Sequence, residues 1–281
     1  VIAMEEIPVG TGAVAQHYDD LDEFYRDVWG EHLHHGIWLS GHESPEVATR
    51  NLIDLAVQKA GIGEGSVVAD VGCGYGGTSH VLAADFGCKV TGFTLSPRQY
   101  DFACTHKAHP LIRHQLQNWF DNDLPATSQD ALLAIESTEH MPSLEKFMKQ
   151  VYRVLKPGGR AVICAWLTAE EASEASRRML IKPICQEGRM YAMRTATDFA
   201  RVSREFGLRF GAVEDFSQTA KKSWRIVAGR VMKGVLMKPE YRSFLTSADN
   251  ENRVFAKTVL RIITAYELGV MKYGMLTLVK P

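Results

Sequence analysis

Apolar residues along this chain alternate between two periods, and the changes of period divide it into elements. Val67, Val68, Ala69 and Val71 form an apolar run broken only by Asp70 near its end, the pattern of a strand buried on both faces with a polar group at the sheet edge. Further strands are predicted over Cys88–Thr94, Arg113–Leu116, Asp130–Ile135 and Arg160–Trp166. Pro45 opens a helix to about Ala60, with Leu52, Leu55 and Ala56 on one side and Ile53 and Val57 beside them. A second helix starts near Thr78 and carries Val81, Leu82, Ala84 and Phe86. Ser96 as N-cap and Pro97 at the first helical position begin a third, reaching about Ala108. Leu144, Phe147, Met148, Val151, Val154 and Leu155 share one helical face, and Lys156-Pro157-Gly158-Gly159 ends that helix. The strand-helix alternation predicts an α/β fold with a doubly wound, mostly parallel sheet. Ligands of such sheets bind beyond the carboxyl ends of the strands. Here that edge is residues 72–77, 94–99, 118–119 and 136–140.

After Trp166 the pattern loosens. Thr168 and Glu171 have the spacing of a capping box, predicting a helix to about Ile181. Thr197 is expected to cap another, with Phe199, Val202 and Phe206 inward and Gly207 as its stop. Strands are expected over Leu208–Phe216 and Met271–Val279, and a helix before the second has Phe255, Val259, Ile262, Ile263 and Tyr266 on one face. Residues 218–253 are mixed and basic, with Lys221, Lys222, Arg225, Arg230 and Lys233 around Trp224. A solvated helical face is the simpler reading, and a groove for an anionic substrate group the alternative. Upstream, Tyr18, Phe24, Tyr25, Trp29, His32, His34, His35 and Trp38 crowd residues 14–42, predicting a flap over a ligand. The expected division is a helical flap over 1–60, a ligand-binding core over 61–167, lid helices over 168–206, and 207–281 completing the sheet with inserted helices over the substrate site.

Composition narrows the partners. With 281 residues, 46% of them hydrophobic, the chain can bury a full core. A net charge of −1 gives no field that would gather nucleic acid or coat an anionic membrane. A small-molecule partner is expected, and a homo-oligomer is left open. The five cysteines (Cys73, Cys88, Cys104, Cys164 and Cys185) lack paired metal spacing and suit reduced thiols. His32, His34 and His35 lack an acidic partner and an i, i+4 pair, so no metal is expected. No basic region precedes an apolar run near Val1, and no apolar segment is long enough for a bilayer. A cytoplasmic location is expected, although a transit peptide already removed would leave no trace.

The turn after the first strand carries Gly72, Gly74, Gly76 and Gly77. Glycine admits positive φ and lets a ligand approach the main chain, so this turn can wrap an extended small molecule. Gly72, Gly74 and Gly77 also satisfy the dinucleotide spacing. However, the next strand ends Thr94-Leu95-Ser96-Pro97 with no carboxylate for ribose hydroxyls. Asp70 also puts negative charge where a pyrophosphate would lie. A cationic ligand suits this turn better, which disfavours a nicotinamide-dependent oxidoreductase. A cofactor-binding protein without catalysis stays open.

Four segments together carry a specific likeness: Asp70 to Gly77, Thr94 to Gln99, Glu136-Ser137-Thr138-Glu139-His140-Met141, and Leu155 to Gly159. The chain resembles class I S-adenosylmethionine-dependent methyltransferases, and their seven-stranded Rossmann-like sheet is the fold this implies. Tyr18-Asp19, Trp29-Gly30-Glu31-His32 through Gly36, and the ending from Ala265-Tyr266 to Pro281 resemble the γ-tocopherol C-methyltransferase branch, related to sterol, cyclopropane-lipid, phosphoethanolamine and plant alkaloid methyltransferases.

The resemblance implies S-adenosylmethionine as cofactor, with Gly72, Cys73 and Gly74 under its methionine part and Asp70 near its ammonium. Thr94, Leu95 and Gln99 take the ribose region. Asn118 and Trp119 stand where the wider family has an Asp-Ala pair that reads adenine, and Glu136 completes the cofactor set. At the reacting edge His140 is the expected base, because imidazole titrates near neutrality, and Glu136 positions the substrate or its leaving proton. The plain alternative is that Glu139 and His140 cap the loop into the next helix. Expected acceptor contacts are Tyr18, Tyr25, Trp38, His140, Trp166 and Trp224. The expected reaction is methylation of a small, largely apolar acceptor, aromatic, prenylated or otherwise a natural product, at carbon; an amine or hydroxyl acceptor is the alternative.

Overall fold

Strand β1 (Val67–Val71) pairs in parallel with β2 (Lys89–Thr94) on one side and β4 (Gln129–Ile135) on the other. Strand β3 (Ile112–Leu116) flanks β2, and β5 (Leu155–Thr168) flanks β4, both in parallel. Strand β7 (Met271–Val279) runs antiparallel between β5 and β6 (Arg209–Asp215), giving one seven-stranded sheet in the order β3-β2-β1-β4-β5-β7-β6. This is the topology of the computed structural model, which describes residues 10–20, 22–29, 32–239, 241 and 255–281. Phe24, Tyr25, Gly30, Glu31 and Phe255, and most of the basic stretch beyond residue 239, lie outside the described side chains.

The central strands are apolar throughout because neighbouring residues serve opposite faces. Val68, Ala131, Leu133 and Val162 join Leu52, Ile53, Ala56 and Val57 of α3 (Pro45–Ala60) in one core. Ala69, Leu132, Ala134 and Ile163 join Phe147 and Val151 of α6 (Leu144–Val154), and Phe199 and Val202 of α9 (Ala196–Glu205), in the other. Helices α4 (Gly77–Ala84) and α5 (Pro97–His106) start directly at the ligand edge. Ser96 accepts from the Gln99 N–H at the head of α5, as its sequence predicts.

The region after β5 departs from expectation. Thr168 stays in the strand opposite Met271 and donates its hydroxyl to the Met193 carbonyl at 2.6 Å, so it caps no helix. Ser173 caps α7 (Glu174–Ser176) instead, and the chain passes through a π-helical turn, Arg177–Ile181, into α8 (Lys182–Glu187). Helix α9 is capped by Thr195 rather than Thr197, because Asp198 stands at the position that closes the reciprocal capping box. Strand β5 begins at Leu155, earlier than predicted, and pairs with Gln129 before the register shifts.

Helix α10 (Ser217–Met237) buries Ala220, Trp224, Val227 and Val231. Its cations turn to protein partners: Lys221 and Arg225 pair with Glu267 of α11 (Phe255–Glu267), and Arg230 donates to the Val28 carbonyl. No helix among the described residues is long and apolar enough to cross a membrane.

Candidate active site

The glycine turn forms the floor of a crevice, partly open to solvent, that spans about 1090 Å³ counting the open space at its mouth. Gly72 and Gly74 have φ of +82° and +54°, values that side chains with a Cβ rarely adopt. The Gly72 and Cys73 N–H groups both donate to the Phe93 carbonyl, which ties the turn to the end of β2. A Cβ on Gly72 would fall 2.3 Å from the Ser137 Cβ, whereas one on Gly74 would meet no atom within 4 Å. The main chain at Gly74 is therefore bare. Asp70 is 2% exposed and accepts from the Ser79 hydroxyl at 2.7 Å. Burial pushes its carboxyl up to about 6, with the Ser79 hydrogen bonds opposing, so the site rewards a cation placed against it.

All ten residues expected to hold the cofactor line this cavity: Asp70, Gly72, Cys73, Gly74, Thr94, Leu95, Gln99, Asn118, Trp119 and Glu136. Thr94 donates its hydroxyl to Gln99 Oε1 at 2.9 Å, and Asn118 accepts from the Phe120 N–H at 3.0 Å. Trp119 packs edge-on to Phe93, and its indole N–H is buried without a hydrogen-bond partner. A bare main chain, a desolvated carboxylate and an orphaned donor in one crevice fit an extended, cationic, nitrogen-rich ligand such as S-adenosylmethionine.

The roof comes from the N-terminal segment. Val14, Ala15 and Tyr18 of α1 (Thr11–Asp20), together with His32, Leu33 and His34, close the cavity from above. Asp19 accepts from the Ser96 hydroxyl at 2.5 Å, and the Tyr75 hydroxyl donates to Asp22 of α2 (Asp22–Trp29) at 2.6 Å. The roof is thus latched to the same elements that line the floor. The His32 ring fills the space a side chain at Gly77 would need: a Cβ there would lie 2.6 Å from His32 Cε1. Burial, with His34 nearby, pushes His32 down to about 3, and burial likewise lowers His34.

The loop leaving β4 carries the reactive groups. His140 is half-buried, with Nδ1 3.0 Å from the Arg189 carbonyl and Nε2 3.0 Å from the Tyr18 hydroxyl. A carbonyl only accepts, so Nδ1 carries the proton and Nε2 presents a lone pair. Burial holds His140 below the usual histidine range, against the Arg189 carbonyl. Tyr18 and His140 both face the cavity.

Glu136 also lines the cavity, but its carboxylate is turned to partners that stand behind the lining. Oε1 accepts from the His35 backbone N–H (2.7 Å), His35 Nδ1 (2.9 Å) and the Tyr273 hydroxyl (2.7 Å), and Oε2 accepts from the Trp166 indole at 2.8 Å. Burial opposes the charge, and the side-chain and backbone hydrogen bonds from His35 hold the carboxyl below the usual carboxylate range. The Trp224 indole donates to His35 Nε2 at 2.7 Å, so the imidazole is the neutral Nδ1–H form. Glu139 does not line the cavity. It accepts from the Trp166 N–H at 2.6 Å, and its own carbonyl accepts from Tyr191 and Ala192. Burial pushes its carboxyl up to about 8, in keeping with the plain expectation that it secures the loop.

Of the residues expected to touch the acceptor, Tyr18 and His140 come together. Trp166 and Trp224 stand behind Glu136 as indole donors, and Trp38 donates to the Glu43 carbonyl under Lys222. None of these three lines the cavity, because each indole N–H is drawn to a buried or backbone acceptor. The Tyr25 side chain lies outside the described residues. Met141 and Pro142 join the wall without having been singled out for it, and His34 joins it from the segment predicted as a flap. His35, Tyr266 and Tyr273 complete the Glu136 cluster. Density of histidine between residues 32 and 35 was the available signal, but it does not say which ring faces the cavity.

Residues 9–225 match the family described as mycolic acid cyclopropane synthetase. Among curated relatives, the tocopherol O-methyltransferase, chloroplastic, of Arabidopsis thaliana is 28% identical over 95% of this chain and 82% of its own length. The 2-methyl-6-phytyl-1,4-hydroquinone methyltransferase of Synechocystis sp. is 28% identical over 93% of this chain and 84% of its own. Among solved structures, a mycolic acid cyclopropane synthase in complex with S-adenosylhomocysteine superposes with a TM-score of 0.85 at 19% identity, covering 98% of this chain and 100% of that one.

Proposed function

We propose that this chain, which belongs to the mycolic acid cyclopropane synthetase family and is an S-adenosylmethionine-dependent methyltransferase, methylates a carbon of a small, largely apolar acceptor of the aromatic or prenylated kind. The cofactor supplies a methyl group already activated on a sulfonium. What remains for the chain is to hold, align, exclude water and accept a proton. Gly72, Cys73 and Gly74 form the bed for the methionine part, and the Asp70 carboxylate answers the ammonium. Thr94, Leu95 and Gln99 lie along the ribose. Asn118 has its amide oxygen committed to Phe120, which leaves its NH2 to donate to an adenine edge beside Trp119.

The acceptor enters between the roof and the loop after β4, where Val14, Ala15, Leu33, Met141 and Pro142 offer an apolar wall. His140 Nε2 takes the acceptor's proton, which displaces the Tyr18 hydroxyl from that lone pair. The observation that carries this reading is the Tyr18–His140 contact over the Gly72–Gly74 floor. The two relatives named above are, by name, a tocopherol and a 2-methyl-6-phytyl-1,4-hydroquinone methyltransferase, which supports an acceptor of that kind.

The test is a panel of prenylated hydroquinones, phenols and amines incubated with methyl-labelled cofactor, the position of the label being read by mass spectrometry. Transfer to ring carbon is expected, and exclusive transfer to nitrogen or oxygen would overturn the carbon assignment. His140→Ala should cut turnover roughly 10²–10⁴-fold while calorimetry finds cofactor affinity retained. Undiminished turnover in that variant would remove His140 as the base.

A further inference from the structure

The methyl-transfer reading leaves one charge without a task. Glu136 stands on the cavity wall with φ of +51°, a left-handed backbone that a residue with a Cβ holds only when its surroundings impose it. Four donors fix its carboxylate, and none of them is a cation, since His35 is neutral with Nε2 turned to Trp224. The histidines in the wall are His32, His34 and His140, each disfavoured in its charged form by burial. Among the described residues no lysine or arginine lines the cavity. Asp70 and Glu136 are its acidic groups, and Asp70 is matched by the cofactor's ammonium. Glu136 remains as a fixed anion in the wall beside the acceptor, its carboxylate held by His35, Trp166 and Tyr273 just behind the lining.

We infer that Glu136 selects the acceptor by charge, admitting uncharged or cationic molecules and turning away those that carry phosphate, sulfonate or carboxylate. This rests on the methyl-transfer reading above. In the step itself the acceptor's electron pair forms the bond to the methyl carbon while the carbon–sulfur bond breaks and sulfur keeps that pair. The positive charge passes from sulfur to the acceptor, which then gives its proton to His140 Nε2. A neutral acceptor is thus cationic in transit, and a carboxylate fixed beforehand in a desolvated wall stabilises it. An acceptor that arrives with its own negative charge meets repulsion instead.

The experiment compares three probes of one shape, 4-phenylbutylammonium, 4-phenylbutanol and 4-phenylbutanesulfonate, titrated by calorimetry into the chain saturated with S-adenosylhomocysteine. The cation should bind at least about tenfold more tightly than the sulfonate, with the alcohol between. Glu136→Gln should bring cation and sulfonate to within about threefold while S-adenosylhomocysteine affinity is kept. Glutamine turns an NH2 toward the Trp166 indole, so Glu136→Gln combined with Trp166→Phe provides the same charge change without that clash. Should neither variant fold, the wild-type comparison decides. Equal binding of cation and sulfonate to the wild-type chain would overturn the inference. So would a Glu136→Gln chain that keeps the preference and loses the cofactor, which would assign the carboxylate to the ammonium. Failure to bind S-adenosylhomocysteine at all would instead strike the methyl-transfer reading.

Discussion

Glu136 and Glu139 lie three residues apart on the loop that leaves β4, both deeply enclosed, and they hold opposite charge states. Glu136 is held below the usual carboxylate range and Glu139 is pushed up to about 8. Burial acts in the same direction on both. The difference lies in the surroundings: four donors converge on Glu136, whereas Glu139 accepts one short backbone N–H, from Trp166, and a longer 3.3 Å bond from the Thr138 hydroxyl, and is repelled by the Glu136 charge. A buried carboxyl is charged when enough dipoles are arranged around it and stays protonated when they are not. One loop thereby presents a fixed anion to the cavity and a neutral acid to the interior.

The same chemical change should therefore have opposite consequences at the two positions. Glu136 has a folded pKa below its ordinary 4.5, so its contribution is present above that pH and is lost as pH falls below it. Glu136→Gln should lower stability at pH 7 by on the order of 1–3 kcal/mol, the cost of the donor mismatch it makes with Trp166. Glu139 has a folded pKa above 4.5, so wild-type stability declines as pH rises from there toward 8. Glu139→Gln should raise stability at pH 7 by up to about 3 kcal/mol and should match the wild type below pH 4.5. Chemical denaturation across that pH range measures both, and equal signs for the two variants would break the comparison.

Asp70 sharpens it from the cofactor side. Its carboxyl, raised from 3.8 to about 6, costs the empty chain stability as pH rises through that window. Asp70→Asn should gain about 2–3 kcal/mol in the unliganded chain at neutral pH. The same variant should lose most of its affinity for S-adenosylmethionine by calorimetry. A variant that gained nothing and bound normally would show that the carboxylate faces no cation.

What the sequence made legible was local. The strand, Asp70 and the glycine turn could be read because backbone conformation there restricts the residue types directly, and Ser96 with Pro97 marked the next helix for the same reason. The loop from Glu136 to His140 could be located, since a polar cluster at the end of an apolar strand falls at the ligand edge. The charge states of its two glutamates could not be read there, because their donors come from His35, Trp166 and Tyr273, far away along the chain. Trp166 and Trp224 were assigned to the acceptor as aromatics near that edge, but hydrogen-bond demand drew both indoles behind the cavity. Thr168 and Glu171 had the right spacing for a cap, and pairing with β7 took precedence over it.

The His32 imidazole and the missing side chain of Gly77 occupy a single volume. Positions 32 and 77 are therefore bound as a pair across sequence drift: a descendant that adds even a methyl group at the second must trim or reorient the first. Forty-odd residues of separation conceal that bookkeeping, and a selection for suppressors of Gly77→Ala would recover it at codon 32.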